Sequence, residues 1–554
     1  MTVTVAHAVG TALARAEGVS TVFGVVGSGN FHVTNALTGG GARFIAARHE
    51  GGAAVMADAY ARVTGELGVL SVHQGPGFTN AITGIAEAAK SRTPLLVLAA
   101  EATTPTSNFY IDQLAIAAAV GAIPDRILSG TTVRADLTRA HRTALRERRT
   151  VLLSLPLDVQ AERVPEFTLP ALPTTPRLGS SPEAVDALAD ALAAAERPVF
   201  LAGRGARGAK RELQALADRA GALLATSAVA RGLFRGHPYS LDVSGGFATP
   251  VTAGLIGEAD LIVAWGCALS MWTTRHGALI GDAAKVIQVD ANPAALGVHH
   301  RIDIGVPSDV AAAASAVLAE LDRRSQNGQQ RQRSSGYRTP DVAKRLAAEG
   351  RWRDVRYEPV EEEGRIDPRT LTIALDDLLP AQRTVATDSG NFMGYPAMFL
   401  DVPDENGLVF TQAFQSVGLG LATAIGAAIA RPDRLTVAAL GDGGALMGIG
   451  ELETAVRLGL RDLLVVVYDD EAYGAEVHHF GPGGHPLGSV QFPPADIAAI
   501  ARGFGCEAVE VRAAADLDAV GTWLAGPRDR PMLVDAKVAR SRPSWWLEEA
   551  FRGH

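Results

Sequence analysis

The sequence predicts an α/β protein made of three doubly wound parallel-sheet domains. Two observations carry this expectation. Short β-branched runs ending at Gly or Asp alternate with Ala/Leu-rich helical segments, and they do so in three separate stretches. Between the stretches lie a Pro-rich segment, Pro165–Pro176, and a Ser/Gln/Arg-rich one, Arg323–Pro340. Such alternation implies parallel strands covered by helices, and the intervening compositions read as exposed links. The first domain takes residues 1–165, with Gly68–Val72 and Leu95–Ala99 as buried strands. The second takes residues 180–322, opening with the strand Pro198–Ala202 and continuing through Leu261–Trp265 and Val286–Asp290. The third takes residues 365–540, with Leu435–Leu440 and Leu463–Tyr468 as its strongest strands. Residues 541–554 form a tail whose Ser544-Trp545-Trp546-Leu547 is aromatic enough to pack on the body or over a site.

Composition narrows the function classes. Hydrophobic residues at 47% and charged residues at 20% fit a soluble globular chain. A formal charge of −9 argues against general nucleic-acid or anionic-membrane binding, because both need a basic surface. Cys267 and Cys506, the only cysteines, are far apart and offer neither a disulfide framework nor a cysteine metal site. The N-terminal segment lacks the basic start and apolar core of a signal peptide. No apolar run reaches the roughly 18 residues of a membrane span. The expectation is a cytoplasmic enzyme with no nucleic-acid or membrane partner.

Chemistry concentrates at strand ends. Gly441-Asp442-Gly443-Gly444 follows the strand Leu435–Leu440, and helical periodicity continues through Ile449, Leu452, Ala455 and Val456. Leu463–Tyr468 then leads into Asp469-Asp470-Glu471-Ala472-Tyr473-Gly474. Ligands of open parallel sheets sit beyond the carboxyl ends of strands, and two ends joined by one right-handed crossover are neighbours. Asp442 and Asp469 can then offer hard oxygen ligands to one Mg2+ or Ca2+ carrying a diphosphate. The flanking glycines allow close backbone approach to the phosphates. A tight Gly-Asp turn and an acidic loop is the bland alternative.

This segment resembles the signature of thiamine diphosphate-dependent enzymes of the acetolactate synthase and benzoylformate decarboxylase superfamily of 2-oxo-acid decarboxylases. Counted from Asp442, Asp469 takes the place of the family's metal-binding Asn, and Glu471 supplies a backbone carbonyl. The implied metal set is Asp442, Asp469 and Glu471, with Gly441, Gly443, Gly444, Tyr473 and Gly474 around the cofactor. A carboxylate where the family has an amide should strengthen the hold on a dication while repelling the diphosphate. Arg48-His49-Glu50-Gly51-Gly52-Ala53 resembles the family's Arg-His-Glu motif, which implies that Glu50 contacts the aminopyrimidine ring and makes the cofactor's own amino group basic. A helix-start acid favoured by the helix dipole is the plain alternative for Glu50.

Three more segments extend the resemblance. His73-Gln74-Gly75-Pro76-Gly77-Phe78-Thr79-Asn80 matches a Gly-Pro-Gly loop, with His73 where benzoylformate decarboxylase-like members carry an active-site His. A strand-end His there can move protons or hold a carboxylate. Thr387-Asp388-Ser389-Gly390-Asn391-Phe392 matches the diphosphate-contacting strand end, where Gly390 and Asn391 replace the usual Gly-His or Gly-Gln. Gln415-Ser416-Val417-Gly418-Leu419-Gly420 matches the turn whose apolar residue, here Val417, bends the cofactor. Above the reacting carbon the resemblance places Gly27-Ser28-Gly29-Asn30, His73, Asp112-Gln113 and Tyr473, with His478 and His479 nearby. The implied catalytic set is Glu50, His73, Gln113 and Tyr473. Phe109 stands where many acetolactate synthases have a catalytic Gln.

The resemblance spans the chain and implies pyrimidine-binding, middle and diphosphate-binding domains in that order. It also implies that Glu50 of one subunit meets Asp442 of another, so a homodimer is the smallest working unit and a homotetramer is expected. The implied reaction is decarboxylation of a small-molecule 2-oxo acid, with the acyl unit transferred to an aldehyde or ketone acceptor. Simple decarboxylation to an aldehyde is the alternative, and a noncatalytic relative is a third reading. Gly203-Arg204-Gly205-Ala206-Arg207-Gly208 satisfies a dinucleotide-binding pattern, but no acid ends the next strand, Leu223-Leu224-Ala225-Thr226. FAD, or NAD in a dehydrogenase reading, is therefore not expected.

Overall fold

The structure is a computed structural model and describes residues 2–328 and 336–550. It contains three six-stranded sheets, and every strand pair within them is parallel. Helices occupy the crossovers, as parallel connections require.

The first sheet runs, edge to edge, Arg43–Ala46, Thr21–Gly24, Gly68–Val72, Leu95–Glu101, Thr150–Pro156 and Ile123–Arg126. The third runs Leu408–Phe410, Arg383–Thr387, Leu435–Gly441, Leu463–Asp469, Met532–Lys537 and Glu507–Val511. Numbered within each domain, both read 2-1-3-4-6-5, so the first and third domains share one topology. The middle sheet reads 3-2-1-4-5-6, from Ser240–Val243 to Ile304–Pro307, which is the dinucleotide-fold order. A short antiparallel pair, Thr2–Thr4 with Arg163–Pro165, ties the two ends of the first domain together. Tyr337, inside the segment read as an exposed link, is buried in the middle domain and its hydroxyl donates to the Leu255 carbonyl.

The matching topology places two equivalent helices against each other. Glu50–Thr64 follows the second strand of the first domain, and Gly420–Ala430 follows the second strand of the third. Each is rich in Ala and Gly and buried over most of its length, as a helix held between two sheets must be. They pack into one apolar core spanning both domains. A Cβ at Gly426 would lie 2.3 Å from the Met56 carbonyl oxygen and 3.0 Å from the Ala59 Cβ. Only a glycine allows that approach. Gly426→Val should therefore lower unfolding stability by about 2–3 kcal/mol, read as an earlier urea midpoint.

In the middle domain, a Cβ at Gly203 would lie 2.3 Å from the Gly266 carbonyl oxygen, and one at Gly205 2.8 Å from the Gly266 Cα. Two glycines of the dinucleotide-like pattern thus serve contact between strand-end backbones.

Candidate active site

The third domain brings four strand-end segments together. Asp388, just past the strand Arg383–Thr387, is fully buried. Its carboxylate accepts from the backbone N–H of Ser389 at 2.8 Å, Gly418 at 3.0 Å and Leu419 at 3.2 Å. Burial pushes this carboxyl up to about 6, and the amide hydrogen bonds hold it from rising further. Asp388 thereby fastens the Gln415–Leu419 turn, in which Gln415 and Gly418 have φ of 61° and 90°. Val417 on that turn is 38% exposed, so it is not a core valine. A Cβ at Gly444 would lie 2.4 Å from the Asp388 Oδ2 and 3.2 Å from the Val417 Cγ1. Gly444→Ala should displace this turn.

Asp442 opens the helix Asp442–Gly448 at the end of the strand Leu435–Gly441. Its carboxyl is driven up to about 8 by burial and by the neighbouring Asp470 and Asp469. Asp470 is raised to about 6, chiefly by burial, and accepts a hydrogen bond from Asn391 Nδ2 at 3.3 Å. Among the described residues neither carboxyl has an ion-pair partner, and the Arg365 guanidinium only partly relieves Asp470. Gly474 lies against the Asp470 carboxylate, where a Cβ would come within 2.2 Å of its Oδ2. Tyr473 covers Gly443, whose Cβ would fall 2.8 Å from the tyrosine ring, and its ring meets Phe492 edge-on at 4.8 Å.

The structure engages two of the three expected metal ligands, Asp469 and Glu471, elsewhere. Asp469 is buried with its Oδ2 paired to Lys537, which also pairs with Asp535 at 3.1 Å. Its Oδ1 accepts from the Glu471 amide at 3.0 Å. Glu471 turns its carboxylate to Arg365 and Arg540, and its carbonyl accepts from the Phe492 amide at 2.9 Å. Neither carboxylate is free to bind a cation. The reason lies in strand alternation, which sends Asp469 and Asp470 to opposite faces. Asp469 pairs in register with Lys537 on the next strand. Among the described residues no trio of His, Cys, Asp and Glu forms a metal site by itself. Asp442 and Asp470 would need ligand oxygens to complete one, which is how Mg2+ is commonly held on phosphates.

In the first domain Glu50 begins the helix Glu50–Thr64, and its carboxylate accepts from Asn80 Nδ2 at 3.0 Å. Gly77 lies beside it, with a Cβ position 3.4 Å from the Glu50 Oε1. His73 donates through Nδ1 to the Gln74 carbonyl at 2.8 Å, and its Nε2 lies 3.3 Å from the Ser28 hydroxyl. Phe109 meets the imidazole edge-on at 5.1 Å.

Gln113 is the second correction. It is buried, its Oε1 accepts from the Gly75 amide at 3.1 Å, and its Nε2 donates to the Ala100 carbonyl and the Ser154 hydroxyl. Its amide braces the Gly-Pro-Gly turn from within the first domain.

Two further carboxylates hold the site's loops across domains. Glu451 accepts from the amides of Arg48 at 3.1 Å and His49 at 3.0 Å, so the third domain carries the loop that presents Glu50. Glu87, paired with Arg62, accepts from the amides of Ala413 and Phe414 next to the Val417 turn. The sequence shows these acids, but not the distant amides they meet.

Comparison with known proteins agrees with this geometry. Three family models match in order: the N-terminal TPP binding domain of thiamine pyrophosphate enzymes over residues 3–118, their central domain over 185–320, and their C-terminal TPP binding domain over 388–536. A probable 2-ketoarginine decarboxylase of Pseudomonas aeruginosa is 31% identical over 90% of this chain and 88% of its own. A sulfoacetaldehyde acetyltransferase of Alcaligenes xylosoxydans xylosoxydans is 30% identical over 83% and 80%. The catabolic acetolactate synthase of Raoultella terrigena is 29% identical over 94% and 95%. With all three domains matched and the glycine-lined strand ends in place, this chain belongs to the thiamine pyrophosphate enzyme family.

Proposed function

We propose that the chain decarboxylates a 2-oxo acid and passes the acyl unit to a carbonyl acceptor, an aldehyde or ketone, using thiamine diphosphate held with Mg2+ or Ca2+. The observation that carries the metal part is the pair Asp442 and Asp470: two buried carboxyls, both raised chiefly by burial and Asp442 further by Asp470, beside the glycines 443, 444 and 474. A dication between them would relieve both desolvation and repulsion. Asp442 and Asp470 would hold the metal, Gly390 and Asn391 would lie beside the diphosphate, and Val417 would support the rings. When bound, thiamine diphosphate supplies the electron sink that decarboxylation needs. Glu50 would hold and exchange a proton at the pyrimidine ring nitrogen, and Tyr473 would wall the substrate space.

The partners of Glu50 (Asn80 and Gly77) and those of Asp442 (Asp470 and Asp469) are separate sets within one chain. A homodimer in which Glu50 of one copy completes the Asp442 site of the other would join them, and a pair of such dimers would make a homotetramer. Exposed apolar side chains support this: Leu446 and Met447 on the Asp442 helix, and Phe31 and Phe109 on the first domain. Uncovered apolar faces of this kind mark association surfaces.

The Ser28–His73 pair favours a second reading. An imidazole held through Nδ1 on the Gln74 carbonyl, with Nε2 beside the Ser28 hydroxyl, is placed to take up a proton at Nε2 and hand it on, which would release an aldehyde without an acceptor. The names of the relatives include both decarboxylase and transfer activities. A screen of 2-oxo acids for carbon dioxide release, with and without added aldehyde or ketone, tests both readings. A new carbon–carbon bond formed only with acceptor supports transfer, aldehyde alone supports the second reading, and no carbon dioxide from any acid overturns both. In either case His73→Ala should slow product formation by about 10²-fold or more, read in the same assay.

A further inference from the structure

The C-terminal tail reaches the proposed diphosphate site through one side chain. The Ser544 hydroxyl lies 2.8 Å from the Asn391 Oδ1 and 2.9 Å from the Asn391 carbonyl oxygen, and Ser544 is buried. On its other side the same amide donates from Nδ2 to Asp470. The chain of contacts therefore runs from tail hydroxyl to Asn391 amide to Asp470, which stands beside Asp442. The ionised Asp470 accepts and so takes Nδ2, which leaves Oδ1 on the tail side, where the Ser544 hydroxyl donates to it and braces the amide in that orientation.

The tail is anchored firmly enough to impose that choice. Trp546 is 1% exposed and lies on Gly394, where a Cβ would come within 2.5 Å of the indole. It meets Tyr395 edge-on at 4.7 Å and Phe247 of the middle domain at 6.5 Å. Trp545 lies under the Arg275 guanidinium at 4.9 Å, also from the middle domain. The two tryptophans that follow Ser544 thus pack on two domains and hold its contact with Asn391 in place.

We infer that Ser544 is a positioning residue for cofactor binding: docking of the tail orients the Asn391 amide and so sets the affinity of the Asp442–Asp470 site for metal-bound diphosphate. This rests on the thiamine diphosphate reading above.

The test uses full-length protein freed of cofactor, with Ser544→Ala, Ser544→Thr and the exposed control Ser541→Ala. Each is titrated calorimetrically with thiamine diphosphate in excess Mg2+, and its thermal unfolding is recorded without ligand. The expected result is binding weakened about 5–10-fold in Ser544→Ala, restored within about 2-fold in Ser544→Thr, and unchanged in Ser541→Ala, with cofactor-free midpoints alike. A wild-type protein that binds, with Ser544→Ala binding equally well, overturns the inference alone. Equal weakening in Ser544→Ala and Ser544→Thr also overturns it, because the hydroxyl would then not be the cause. A wild-type protein that does not bind overturns the cofactor reading and this inference with it.

Discussion

Asp442→Ala should abolish metal-dependent binding of thiamine diphosphate, weakening it by at least about 10²-fold, and turnover should fall with it. The argument rests on how few charged ligands the site has. Among the described residues, Asp442 and Asp470 are the strand-end carboxyls of this site with no ion-pair partner, apart from Asp388, which is taken up by three backbone amides. Removing either leaves one anion to hold the metal against the diphosphate. Asp470→Ala should therefore behave like Asp442→Ala. Asp469→Asn should not: it breaks the buried pair with Lys537, lowering stability by about 2–4 kcal/mol, while affinity for the cofactor changes only a few-fold. Calorimetric titration beside a urea unfolding curve separates these two outcomes.

Glu50→Gln should bind the cofactor within a few-fold of wild type and lose about 10²–10⁴-fold in turnover. A glutamine still accepts the Asn80 hydrogen bond that fixes this side chain, so the loop held by Glu451 should keep its shape. What the amide cannot do is exchange a proton with the pyrimidine ring. Parallel titration and carbon dioxide assays check the split. A loss of binding equal to the loss of turnover would mean that Glu50 is structural.

Much of the fold was legible from strands such as Leu435–Gly441 and Leu463–Asp469, whose apolar runs end at the Gly and Asp residues that mark the strand ends. The shared topology of the outer sheets was not, because edge strands of three or four residues, such as Leu408–Phe410, carry too little pattern. At the site, Glu50 and Asp442 open helices, His73 follows the strand Gly68–Val72 and Val417 lies on a turn, all positions that Gly-rich motifs mark in the sequence. Asp469 and Gln113 show where reading stops. A one-residue step at a strand end exchanges the two faces, so motif spacing points to Asp469 although Asp470 is the neighbour of Asp442 and Asn391. Gln113 is polar and near a motif, but its partners Ala100 and Ser154 lie on two other strands. Asp388 was visible only as part of a run, since its three amide donors include two from a turn about thirty residues away.

The central claim is tested most directly by calorimetric titration of cofactor-free protein with thiamine diphosphate, with and without Mg2+. The account predicts saturable binding of one cofactor per chain that requires the metal and disappears in Asp442→Ala. Absence of binding by the wild-type protein at any Mg2+ concentration, or binding that Asp442→Ala leaves intact, would contradict it.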